Sequence, residues 1–159
     1  FSLIDHPHAI KLFEVFESSH HLYIILEYAS HGNMYDFLNE VKLIQVHESL
    51  RLFREIIYGL EYIHSHKIYF EEFTLDNVFL DELDHVKLNV FHSKQLVKPD
   101  PYAPSYSCPN FLAPEFILGK KNDPICADIW TCGVILYIFL TVCCFLFFLY
   151  SSNHQLIRI

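Results

Sequence analysis

A chain of 159 residues with 52% hydrophobic side chains has the length of one domain and ample material for a core, which argues against disorder. A formal net charge of −8 gives no basic face to neutralise phosphates, so nucleic acid is not an expected partner. The five cysteines are odd in number and show no C-x-x-C spacing, so they read as reduced interior thiols of a cytosolic protein.

Phe1 to Asp5 carries neither a basic n-region nor an initiator Met, and it reads as the middle of a longer sequence. The β-formers of Ile10 to Phe16 and of Leu22 to Leu26, with Ser18-Ser19-His20 between them, predict a hairpin. Ala29 to Asn33 breaks that pattern, and Met34 to Leu38 predicts a short helix. From His47 to His66 the apolar residues Leu50, Phe53, Ile56, Ile57, Leu60 and Ile63 form one helical stripe. Glu48 in its first turn and His64, His66 and Lys67 at its end suit the macrodipole. His64 and His66 lie two apart and face different ways on a helix, which argues against a metal site.

The stretch Lys67 to Asn77 follows, with adjacent carboxylates at Glu71 and Glu72 and a carboxamide at Asn77. Acidic groups on a loop between a helix and a strand are the ingredients of a catalytic loop. Val78-Phe79-Leu80 and Val86-Lys87-Leu88, separated by Asp81 to His85, predict a second hairpin. Residues 92 to 112 read as loop because Pro99, Pro101, Pro104 and Pro109 bar regular structure. Ala113 to Ile117 starts another short helical piece. From Ile129 to Ile157 there is no Asp, Glu, Lys or Arg, and Cys132 to Tyr150 is almost wholly apolar. That run clears the roughly eighteen residues of a membrane-spanning helix, but a buried core helix followed by an apolar tail is the favoured reading.

Together these pieces resemble a eukaryotic Ser/Thr protein kinase domain of the calmodulin-dependent and AMP-activated kinase group. His6-Pro7-His8-Ala9-Ile10-Lys11-Leu12 is similar to the lead into the fourth small-lobe strand, and Leu26-Glu27-Tyr28-Ala29-Ser30-His31-Gly32 to the hinge. Gly59 to His66 resembles the end of the helix before the catalytic loop, Ala113-Pro114-Glu115 the close of the activation segment, and Asp128 to Gly133 the start of the central large-lobe helix. The resemblance implies an α+β fold in partial form. Residues 1–27 would be the end of the small lobe, 27–33 the hinge, 34–141 the first half of the mainly helical large lobe, and 142–159 an apolar tail that departs from the family. The Gly-rich loop, the strand Lys and its Glu partner would all precede Phe1.

The resemblance also assigns roles. Phe70-Glu71-Glu72-Phe73 stands where the family has His-Arg-Asp-Leu. Glu71 thus inverts a charge that steadies a phosphorylated loop, and Glu72 replaces the catalytic Asp with a carboxylate one methylene longer. A displacement of ~1 Å at a reacting group costs on the order of 10²-fold in rate. Thr74 replaces the Lys that approaches the transferred phosphoryl group, while Asn77 keeps a metal ligand. Val90-Phe91-His92 replaces Asp-Phe-Gly, so the carboxylate that Mg²⁺ needs is gone. Glu115 lacks its family Arg partner, since the only arginines are Arg51, Arg54 and Arg158. ATP would contact the backbone of Glu27, Tyr28 and Ala29.

These implications favour a catalytically inactive, cytoplasmic kinase-like domain that binds other kinases or signalling proteins, with Mg²⁺ binding lost and ATP binding weak or absent. The alternatives are an active Ser/Thr kinase with further motifs outside this chain, and an interaction protein anchored in a membrane through residues 132–150.

Overall fold

The computed structural model describes residues 4–41, 44–70, 72–92, 109–119 and 123–141. Strands β1 (Leu12–Glu17) and β2 (Leu22–Leu26) pair antiparallel, with a bulge between Leu12 and Glu14. Helices α1 (Met34–Glu40) and α2 (Val46–Ser65) follow, then the hairpin β3 (Val78–Leu80) and β4 (Val86–Leu88). The short helix α3 (Pro114–Ile117) and the longer α4 (Pro124–Thr141) complete the described elements. Single 3₁₀ turns lie at Leu75–Asn77, Val90–His92 and Pro109–Phe111. The sequence expectation for residues 93–108 and 142–159 lies outside the described residues.

Local chemistry accounts for most of the boundaries. Asn33 caps α1, its Oδ1 accepting the Asp36 N–H at 2.8 Å. Asp123 does the same for the start of α4, accepting from the Ile125 N–H at 3.0 Å ahead of Pro124 in the first turn. The central helix thus starts four residues before Asp128, where the resemblance had placed its beginning. Lys67, at φ 59°, reverses the chain at the end of α2 in a conformation that costs a non-glycine residue energy, so tertiary contacts must hold it.

The core joins α2, α4, β3, β4 and the loop residues Phe70 and Phe73. The buried face of α2 keeps Ile56, Leu60 and Ile63 of the predicted stripe and adds positions that the stripe left out. Leu50 and Ile57 are exposed, and the buried positions are Ser49, Leu52, Glu55, Ile56, Gly59, Leu60 and Ile63. Hydropathy alone misses part of the face because three of its seven residues are polar or have no side chain. The Ser49 hydroxyl donates to the Phe139 carbonyl at 3.1 Å, tying α2 to α4. Gly59 sits where the segment before β1 crosses the helix. A Cβ there would lie 2.7 Å from the His8 carbonyl oxygen and 2.9 Å from Leu88 Cδ1.

Glu55 is buried with partners on every side. Its carboxylate accepts from Arg51 at 2.7 Å and from the Val86 N–H at 2.8 Å, and lies 3.1 Å from His85 Nδ1. Burial alone would push this carboxyl up, but the Val86 N–H, His85 and Arg51 outweigh it and hold it below the usual carboxylate range. The thiols divide. Cys132 is buried, and loss of solvent followed by the nearby Asp128 pushes it up to about 12, whereas Cys126 is exposed, against the expectation of interior cysteines.

Candidate functional site

The loop after α2 is built around two phenylalanines and one buried carboxylate. Phe70 and Phe73 are both fully buried, with ring centroids 4.7 Å apart. The Phe70 N–H donates to Asp128 Oδ2 at 3.0 Å, and His64 Nε2 lies 2.8 Å from the same oxygen. Asp128 is fully buried, and a charge withdrawn from water needs such partners. One side chain of α4 therefore fixes both the last turn of α2 and the backbone of the loop. Sequence reasoning had used Asp128 only to mark a helix. Its signal was there, since it is the last ionisable carboxylate before a long charge-free run.

Thr74 and Asn77 form a reciprocal cap over the 3₁₀ turn between them. The Thr74 N–H donates to Asn77 Oδ1 at 2.9 Å, and the Thr74 hydroxyl lies 3.2 Å from the same oxygen. The Asn77 carbonyl in turn accepts the Asn89 N–H at 2.8 Å. That bond sets the loop beside the turn Val90-Phe91-His92 that follows Asn89. Asn89, not singled out in the sequence, is buried, and its Oδ1 accepts the Phe91 N–H at 3.0 Å. Glu72 is half-buried and engaged in an interaction, and Glu71 lies outside the described residues.

Whether these residues fit Mg²⁺ is decided by their oxygens. Val90 is fully buried and offers none. Asn77 Oδ1 and Asn89 Oδ1 already accept backbone N–H groups, and their other side-chain atom is an NH₂ donor. A hard cation requires several free oxygen ligands, including a carboxylate in most sites of this kind. Val90 thus leaves the site without the carboxylate that the resemblance expects at that position. Among the described residues no group of three His, Cys, Asp or Glu side chains is placed to hold a metal.

The hinge positions are arranged differently. Glu27 turns its side chain away from Tyr28 and Ala29 to meet Lys87 Nζ at 2.7 Å and the Lys11 N–H at 3.1 Å. Tyr28 is 84% exposed and Ala29 is buried. At the other end of the site, Glu115 is half-buried in the first turn of α3. Arg51 is committed to Glu48 and Glu55 and to the Asp84 carbonyl.

A two-stranded remnant, a hinge, a long helix leading into a capped loop and a second hairpin define the class of protein, a partial kinase-like α+β domain. A family model for the protein kinase domain matches residues 1–156. The chain is 39% identical over 140 residues to a probable serine/threonine-protein kinase of Dictyostelium discoideum, covering 87% of this chain and 17% of that protein. It is 38% identical over 138 residues to an SNF1-related protein kinase catalytic subunit alpha of Arabidopsis thaliana, covering 83% and 27%. Serine/threonine protein kinase OSK3 of Oryza sativa is 36% identical over 141 residues, covering 85% and 27%. The chain belongs to the protein kinase domain family, and it spans between 17% and 27% of the length of these relatives. The family match runs past Thr141, into residues that the sequence reading gave to a divergent tail.

Proposed function

We propose that this domain has lost phosphoryl transfer and acts by binding within Ser/Thr kinase signalling. The observation that carries this reading is Val90, a fully buried apolar side chain where the family places its metal-binding Asp. Asn77, the remaining metal-side residue, spends its oxygen on the Thr74 cap. Without a bridging cation and with Thr74 in place of the phosphate-facing Lys, the charge that develops on the transferred group meets neither of its two main stabilisers. The loop keeps its architecture because Asp128, Phe70 and Phe73 hold it independently of any chemistry at Glu72.

On this reading nucleotide binding is reduced to backbone contacts at Glu27 to Ala29 and does not depend on Mg²⁺. The partners are kinases or other signalling proteins, met in the cytoplasm. Thermal shift with ATP, with and without Mg²⁺, tests the metal argument; a small shift of equal size in both is expected. A shift that requires Mg²⁺ would overturn it. Transfer of labelled γ-phosphate to a generic protein substrate, abolished by Glu72→Gln, would establish the active alternative instead.

A further inference from the structure

The segment Asp5 to Ile10 leads into the β1–β2 hairpin; backbone bonds to Leu88 pin its end to β4, and a histidine cluster away from the loop seats its start on α2. The His6 ring stacks on Tyr62 of α2, with centroids 4.7 Å apart and 21° between the planes. His66 packs against the same tyrosine at 4.4 Å, its Nδ1 2.9 Å from the Tyr62 carbonyl. The Tyr62 hydroxyl accepts the Asp5 N–H at 3.0 Å. Within the segment, the His8 main-chain N–H donates to His6 Nδ1 at 3.1 Å.

That last bond fixes a protonation state. Nδ1 of His6 can accept only while it carries no proton, so the ring is neutral with its hydrogen on Nε2. A second proton must go to Nδ1, and there it would displace the bond. His8 differs, because its Nδ1 faces the Val86 carbonyl at 3.1 Å and Glu55 at 3.7 Å, contacts that suit a donor in either charge state.

We propose that neutral His6 acts as a catch that holds segment 5–10, and with it the β1–β2 hairpin, on α2, and that protonation of His6 releases it.

The charges around the ring support this. Burial, then His8, then Lys87 of β4 hold His6 below its usual value. The carboxylates of the neighbourhood are engaged elsewhere, Asp5 with Lys11 at 3.3 Å and Glu55 with Arg51 and the Val86 N–H. His85 lies 6.4 Å from His8 and bonds Glu55, while His66 is held by the Tyr62 carbonyl. The folded form therefore binds fewer protons here than the unfolded chain. The catch contributes fully above the unfolded histidine value of about 6.5 and is lost as pH falls below it.

The test is a titration of the full chain by NMR between pH 7.5 and 5.5, following the His6 ring carbons and the exchange protection of the His8 and Ile10 amides. His6 is expected to titrate below about 6.5, with protection at both amides falling several-fold as it does and protection in β3–β4 unchanged. His6→Phe keeps a ring for Tyr62 and has no proton to gain, so its protection at Ile10 should no longer respond to pH. A wild-type His6 that titrates at or above 6.5 overturns the proposal, as does a loss of Ile10 protection that persists in His6→Phe. Should that variant fail to fold, the wild-type ring titration and His8 protection decide the matter alone.

Discussion

The two hairpins of this molecule are built from similar residues and live in opposite surroundings. β3 and β4 have three residues each, and Val78, Leu80, Val86 and Leu88 are all fully buried. Both outer edges of that hairpin are paired. Leu80 exchanges bonds with Gly32 and His31, and Leu88 does so with His8 and Ile10. β1 and β2 are longer, yet Phe13, Val15, Phe16, Leu22, Tyr23, Ile24 and Ile25 are exposed. Among the described residues these two strands pair only with each other. An isolated two-stranded hairpin is marginal in water, so the shorter pair is the more stable because of what surrounds it. Strand propensity makes both hairpins, and neighbours decide which becomes core.

That contrast can be broken from the embedded side. Asp128→Ala strands the Phe70 N–H and His64 in the interior, and a loss of about 3 kcal/mol is expected in urea unfolding. Gly59→Ala pushes a methyl into the His8 carbonyl and Leu88, and should cost about 1–3 kcal/mol in the same measurement. Glu55→Gln weakens the link between α2 and β4, with about 1–2 kcal/mol lost at neutral pH. The wild-type contribution of Glu55 has a defined sign. Its folded pKa is depressed, so the stabilisation is present above the unfolded carboxylate value and disappears as pH falls through the folded one; Glu55→Gln should flatten that acid limb. The smallest effect belongs to the other hairpin. Phe13→Ser or Ile24→Thr should change global stability by no more than about 0.5 kcal/mol. Amide exchange should be faster throughout 12–26 than in 78–88.

The order of elements was legible because hydrophobic period and turn residues are local properties. β2, β3 and β4 lie where their apolar runs do, and α2 differs by one residue at each end from His47–His66. The face of α2 was legible at Ile56, Leu60 and Ile63 but not at Ser49, Glu55 and Gly59, which are buried for reasons that lie on α4, β4 and the 8–10 segment. In the site, Glu72, Thr74 and Val90 were set against the family pattern from the residues alone. The part played by Asn89 and the joint anchoring of Phe70 and His64 by Asp128 could not, because both depend on backbone donors whose positions exist only after folding.

The Ser49–Phe139 bond has a consequence for synthesis of the chain. It closes a separation of 90 residues, and α2 buries part of its face against a helix made that much later. A nascent chain that has completed α2, the loop and both hairpins still carries an open flank until α4 has left the ribosome. The interval between those two events is when this domain is most exposed to capture by chaperones or by its own copies.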